Sequence, residues 1–154
     1  MRYYSERQLQ KNKLLKDGDY TSIREMLERI RKYVPKNIIL SELDSNTNII
    51  DHTAEEIYEE VMNLGEGFHR AGFRGKHIAI ISENCYRYII ADICISSGVG
   101  VVTPIDVNAP EQLMAILLNK CDAEAVLCGA DFVELLESLR SSCPKLGKII
   151  TIDR

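Results

Sequence analysis

The stretch that decides the fold is Lys76 to Ala109, KHIAIISENCYRYIIADICISSGVGVVTPIDVNA. His77 to Ser82 is a short β-branched run, Asn84 stands where a helix cap is expected, and Cys85 to Ser97 can form one apolar helix. Gly98 follows as a stop, and Gly100 to Ile105 makes a second strand. Together these spell a βαβ crossover, the kind of connection that parallel strands require. A helix carrying Tyr86, Ile89, Ile90, Ile93 and Cys94 must be covered on most sides, so this unit is expected at the centre of an open α/β sheet.

Toward the carboxyl end, Asn108 and Glu111 read as a capping pair with Pro110 in the first turn, and Leu113, Ile116 and Leu117 as the buried face of the next helix. Glu124 to Cys128 is a short strand, Asp131 and Glu134 cap a helix carrying Leu135, Leu136 and Leu139, and Lys148 to Ile152 is a last strand. Toward the amino end, Thr53 and Glu56 form a T-x-x-E capping box. Ile57, Val61, Leu64, Phe68 and Ala71 follow as a stripe, and Gly72 as a stop. Strands and helices thus alternate from Thr53 onward, the pattern of a parallel sheet with right-handed crossovers.

Ahead of that alternation, Asn37 to Leu43 and Asn48 to Asp51 flank the turn-forming Asp44-Ser45-Asn46-Thr47 and predict a β-hairpin. Ile23, Met26, Leu27, Ile30 and Val34 recur at helical spacing and Pro35 closes that segment, giving an amphipathic helix with one face in the core. Tyr20-Thr21-Ser22 is not followed by the glycine a phosphate loop needs and reads as the start of this helix. Residues 1–20, with Arg2, Arg7, Lys11, Lys13 and Lys16 against Glu6, Asp17 and Asp19, read as an arm. The fold class expected is α/β, a three-layer α/β/α arrangement with a mainly parallel sheet, preceded by a helix and a hairpin.

The 154 residues are enough for one sizeable core, and 45% hydrophobic with 27% charged is an ordinary globular balance. No apolar run approaches a membrane span, and no leader pattern opens the chain, so a soluble cytoplasmic protein is expected. A net charge of -4 and a pI near 5.4 argue against a general nucleic-acid binder. Cys85, Cys94, Cys121, Cys128 and Cys143 are odd in number, with no C-x-x-C pair, and read as small core residues rather than a disulfide framework or zinc site. His69 near a helix end suits the helix dipole, and His52 and His77 belong to no motif.

A doubly wound sheet binds ligands at the carboxyl ends of its strands, here Ser82-Glu83-Asn84, Asp106-Val107-Asn108 and Gly129-Ala130. None is glycine-rich. G-x-G-x-x-G, G-x-x-x-x-G-K-[ST] and G-x-S-x-G are all missing, so the residues alone assign no reaction. Glu83 and Asp106 form a conceivable metal-binding or phospho-acceptor pair at neighbouring strand ends, although loop carboxylates and caps explain them with less. No catalytic, cofactor-binding or metal-binding residue is assigned.

The order of these signals resembles the amino-terminal region of adenylate-forming (AMP-binding) enzymes, particularly acyl-CoA synthetases and long-chain fatty-acid CoA ligases. Thr53-Ala54-Glu55-Glu56-Ile57 resembles that family's "T-Y-x-E-L" helix start. Gly72 to Ile80, GFRGKHIAI, resembles its "G-x-x-x-G-D-x-V-A-I", with Lys76 in place of the usual Asp in what reads as an exposed turn. Asn84 matches an Asn after that strand, Gly98 to Ile105 a "G-A-V-x-x-P-L", and Glu111 to Leu117 an "E-x-L-x-x-I-L"; Pro104-Ile105-Asp106 is most like the fatty-acyl members.

The resemblance implies that residues 21–154 are the first subdomain of such an enzyme, ending ahead of its phosphate loop, ribose-binding Asp and catalytic Lys. The parent would need ATP, Mg²⁺ and CoA, while this segment would bind none of them and would be inactive alone. Its implied partners are the remainder of the ligase, a carboxylic acid such as a fatty acid as the parent's substrate, and further copies of the fragment. A stand-alone flavodoxin-like binding or interaction domain is the alternative that the α/β pattern also allows.

Overall fold

The computed structural model describes residues 20–152, and the arm expected over residues 1–20 lies almost wholly outside them. By contacts the chain divides into two compact units, one ending at Glu59 and the other beginning at Glu60.

The first unit opens with helix α1 (Ile23–Tyr33), whose N-cap Ser22 accepts from the Glu25 N–H, as the helix-start reading of Tyr20-Thr21-Ser22 requires. Its apolar stripe is only partly core. Leu27 is buried, whereas Ile23 is 40% exposed. Strands β1 (Ile38–Leu43) and β2 (Ile49–Thr53) then pair antiparallel with Ser41 opposite Asp51. Asp44 makes the turn, its carboxylate accepting from the Asn46 and Asn48 N–H groups while Thr47 takes a φ of 64°.

Helix α2 (Ala54–Arg70) begins with the expected capping box. Thr53 N–H and Oγ1 both donate to Glu56 Oε2 at 2.8 Å, and Glu56 N–H donates back to Thr53 Oγ1 at 3.3 Å. Of its stripe, Ile57, Val61 and Phe68 are buried, but Ala71 is exposed, because the helix has already ended and Gly72 turns the chain at a φ of 80°.

In the second unit four strands form one parallel sheet in the order β4-β3-β5-β6, with β3 (His77–Ile81), β4 (Val101–Pro104), β5 (Ala125–Cys128) and β6 (Lys148–Thr151). Helix α3 (Tyr86–Cys94) joins β3 to β4, α4 (Glu111–Lys120) joins β4 to β5, and α5 (Val133–Leu139) joins β5 to β6. Ala79, Ile81, Val126 and Cys128 face Met114 and Leu118 of α4 and Leu136 and Leu139 of α5. The alternate residue Leu127 faces Leu64 and Phe68 of α2 and Ile90 and Ala91 of α3, so the sheet has helices on both sides. The chain moves one way from β3 to β4 and the other way from β4 to β6. Helices on opposite faces are what a single crossover hand then demands.

Local expectations change at three helices. Asn84 does not cap α3; Cys85 takes the N-cap position in an extended conformation (φ −144°, ψ 171°), and the cap has no side-chain hydrogen bond. That helix also closes early as a π turn over Ile95–Val99, where Gly98 sits at φ 121°. Pro110, not Asn108, is the N-cap of α4, since the Asn108 N–H and side-chain amide both donate to Asp106 Oδ1 in a local turn. The inward face of α4 is Met114 and Leu118, while Leu113 and Ile116 are 41% and 59% exposed. Ahead of α5, Asp131 falls in a 3-10 turn (Ala130–Phe132) and the N-cap is Phe132, again without a side-chain hydrogen bond.

Candidate functional site

The reversal of chain direction puts the topological switch between β3 and β5, and the crevice to inspect is at their carboxyl ends. There Gly129 N–H donates to Ile81 O at 3.1 Å, and Ser82 Oγ donates to the Glu83 carbonyl at 3.1 Å. A Cβ on Gly129 would stand 3.9 Å from Ser82 Oγ and 3.7 Å from the Phe132 ring, ordinary contact distances. Gly129 is therefore not kept small by a close backbone approach.

Glu83 and Asp106 do lie beyond neighbouring strands and are both exposed. Asp106 is occupied, accepting from Asn108 N at 2.9 Å and Asn108 Nδ2 at 3.2 Å. Among the described residues no cluster of three His, Cys, Asp or Glu could hold a metal ion. The donor set at this edge, two exposed carboxylates with the Asn108 amides turned onto one of them, does not fit a nucleotide triphosphate with its Mg²⁺, which needs convergent N–H groups and a cation. No chemical step is assigned to these residues.

Sequence reasoning missed an apolar groove of about 500 Å³ beside the same end of the sheet, walled by Leu64, Phe68, Ile90 and Ala91 and floored by Leu127 and Ile150. Glu60, Asn63, Arg87 and Thr151 stand around it. Its residues come from two helices and two strands, so no local motif announces it. A second, polar hollow of about 530 Å³ lies at the opposite end of the strands, lined by Gly75, His77, Asp122, Glu124 and Lys145.

The polar hollow is a knot of ion pairs. Lys76 is half-buried rather than in an exposed turn, and its ammonium pairs with Glu124. Lys145 Nζ pairs with Asp122 Oδ1 at 2.8 Å, and His77 Nδ1 donates to Cys121 O at 2.7 Å. The hydrogen bond from Lys76 holds the Glu124 carboxyl below its usual range, and that from Lys145 does the same for Asp122. The Lys76 and His77 contacts tie the start of β3 to that of β5, and the Lys145 pair ties in the approach to β6, a structural role at the end of a parallel sheet away from ligand chemistry. Cys94, Cys128 and Cys143 are buried and Cys85 and Cys121 partly so, and none of the five is joined in a disulfide.

The model of the AMP-binding enzyme family matches residues 29–154. The chain belongs to that family. No curated protein matches it. Among solved structures, it is similar to the anthranilate CoA ligase AuaEII in complex with anthranoyl-AMP, at 19% identity and a TM-score of 0.75 over 90% of this chain and 27% of that one. It is also similar to a Mycobacterium tuberculosis fatty acyl CoA synthetase, at 14% identity and TM-score 0.73 over 85% of this chain and 26% of that one. A third is a long-chain-fatty-acid-CoA ligase from Archaeoglobus fulgidus, at 15% identity and TM-score 0.74 over 86% and 27%. The chain therefore spans about a quarter of each of these AMP-binding relatives. At such identities the likeness is one of fold, and it places the parallel sheet of this family member in a known scaffold.

Proposed function

We propose that this chain is the amino-terminal scaffold of an ATP-dependent acyl-CoA synthetase. The observation that carries the proposal is the family match over residues 29–154, which takes in the whole β4-β3-β5-β6 sheet. The ligase character of the structural neighbours supports the reaction class. In that reaction a carboxylate displaces pyrophosphate from ATP to give an acyl adenylate, and the CoA thiol then displaces AMP to give the thioester. A carboxylate is a poor acylating agent and the adenylate supplies a leaving group, with Mg²⁺ stabilising charge on the phosphates.

On this proposal the described residues do none of that chemistry themselves. They form a rigid sheet against which the rest of the polypeptide, its principal partner, assembles the site. ATP, Mg²⁺, CoA and a carboxylic acid, a fatty acid among the candidates, belong to the parent enzyme, whose location is the cytoplasm. The chain alone, supplied with ATP, Mg²⁺ and a series of fatty acids, forms no acyl adenylate, because its strand ends carry no glycine cradle and no lysine beside one. Acid-dependent pyrophosphate exchange that survives removal of contaminating ligases would overturn this. Reading the gene past codon 154 tests the parent: a T-S-G-T-T-G-x-P-K-like segment is expected, and a natural stop codon there would favour a stand-alone binding module.

A further inference from the structure

Three cross-links between two segments of the chain share one spacing. Asn119 Nδ2 donates to Ser142 O at 2.7 Å, Lys145 Nζ meets Asp122 Oδ1 at 2.8 Å, and Gly147 N–H donates to Glu124 O at 2.9 Å, each pair 23 residues apart. The segment leaving α4 and the segment approaching β6 therefore run side by side in a fixed register. That register sets Cys143 opposite Lys120, one position from Cys121. Cys121 Sγ lies 3.5 Å from Leu118 O, and Cys143 Sγ lies 3.8 Å from both Ala115 O and Asn119 Nδ2, so both sulfurs rest on the last turns of α4. Burial, and then the neighbouring Cys121 sulfur, push the Cys143 thiol up. Cys121 is partly exposed while Cys143 is buried, which separates an attacking thiol from a resolving one.

We propose that Cys121 and Cys143 form a redox-modification site, a dithiol that a hydroperoxide converts to a disulfide joining the end of α4 to the approach to β6. In the first step the Cys121 thiolate attacks the peroxide, an S–O bond forms, the O–O bond breaks, and the alcohol or water leaves after protonation. In the second step the Cys143 thiol gives up its proton and attacks the sulfenic sulfur, the S–S bond forms, and the oxygen leaves as water. The two sulfurs lose two electrons between them and the hydroperoxide accepts both. Cys94 does not compete, since burial pushes its thiol up to about 11, and Cys85 lies at the other end of the sheet, at the start of α3.

The test uses the 154-residue chain carrying Cys85→Ser, treated with near-stoichiometric hydrogen peroxide, alkylated and mapped by mass spectrometry. Two thiols are expected to disappear into a Cys121–Cys143 linked peptide pair, with a rise in Tm that dithiothreitol reverses. With Cys143→Ser added, Cys121 is expected to be trapped by dimedone; with Cys121→Ser instead, Cys143 is expected to stay reduced. A link through any other pair, or Cys121 oxidised to sulfinic acid with Cys143 still reduced, would overturn the proposal. Should a serine variant fail to fold, the peptide map of the Cys85→Ser chain decides alone.

Discussion

A Cβ placed on Gly100 would stand 2.2 Å from the carbonyl oxygen of Lys76 and 3.3 Å from its carbonyl carbon. Both are backbone atoms, and the same carbonyl accepts the Val101 N–H at 2.9 Å, so neither strand can give way without losing its pairing. Gly100→Ala is expected to cost about 2 kcal/mol or more, seen as a lower denaturant midpoint at unchanged slope. An unchanged midpoint would show that the strands are not this close. Gly98 stops its helix at a positive φ, which a glycine after an apolar helical run advertises. The requirement at Gly100 comes from a residue 24 positions earlier and leaves no local trace. The ion pairs beside it set a pH dependence. Asp122 and Glu124 are held below their unfolded values of about 3.9 and 4.3, so the stability they contribute is complete above those values and is lost as pH falls through the lower folded ones. Melting temperatures of wild type and an Asp122→Asn, Glu124→Gln double variant are expected to differ by a constant amount above pH 6 and to converge below about pH 4. Parallel curves throughout would remove the two carboxyls from the account.

The elements differ in how far their boundaries are local. The capping box at Thr53 and Glu56 is complete within four residues, and both reciprocal bonds form where the spacing predicts them. Thr53→Ala should lower stability by about 1 kcal/mol. Asn84 is a good cap by residue type, yet the sheet fixes where β3 releases the chain, and α3 begins one residue too late to use it. Asn84→Ala is therefore expected to stay within about 0.5 kcal/mol of wild type, and a loss comparable to that of Thr53→Ala in the same urea titration would restore Asn84 as the cap. For α4 the sequence LMAILL is apolar on every side, so periodicity cannot choose between the Leu113 and Met114 faces. Packing against Ala79, Val126 and Leu136 chooses Met114 and Leu118.

At the scale of the molecule, the parallel direction of the strands was legible because alternation of short β-branched runs with capped helices admits few topologies. The groove beside β6 was not, since it exists only once α2, α3 and two strands have come together. Nor could periodicity reveal how much apolar surface stays uncovered. In the hairpin, Ile38, Leu43 and Ile49 are 56%, 59% and 70% exposed, and its two strands have no further strand beside them among the described residues. A two-stranded sheet is marginal alone, and unpaired edges with apolar side chains are sites of association. The isolated chain is accordingly expected to self-associate, with a weight-average mass that rises across the micromolar range in sedimentation velocity. Replacing Ile38 and Ile49 together by Lys places charge on one exposed side chain of each strand and should return the chain toward monomer while leaving far-ultraviolet circular dichroism unchanged. A wild-type chain that stays monomeric to about 100 μM, well within the range where exposed edges drive association, would mean that this surface is adequately protected as it stands.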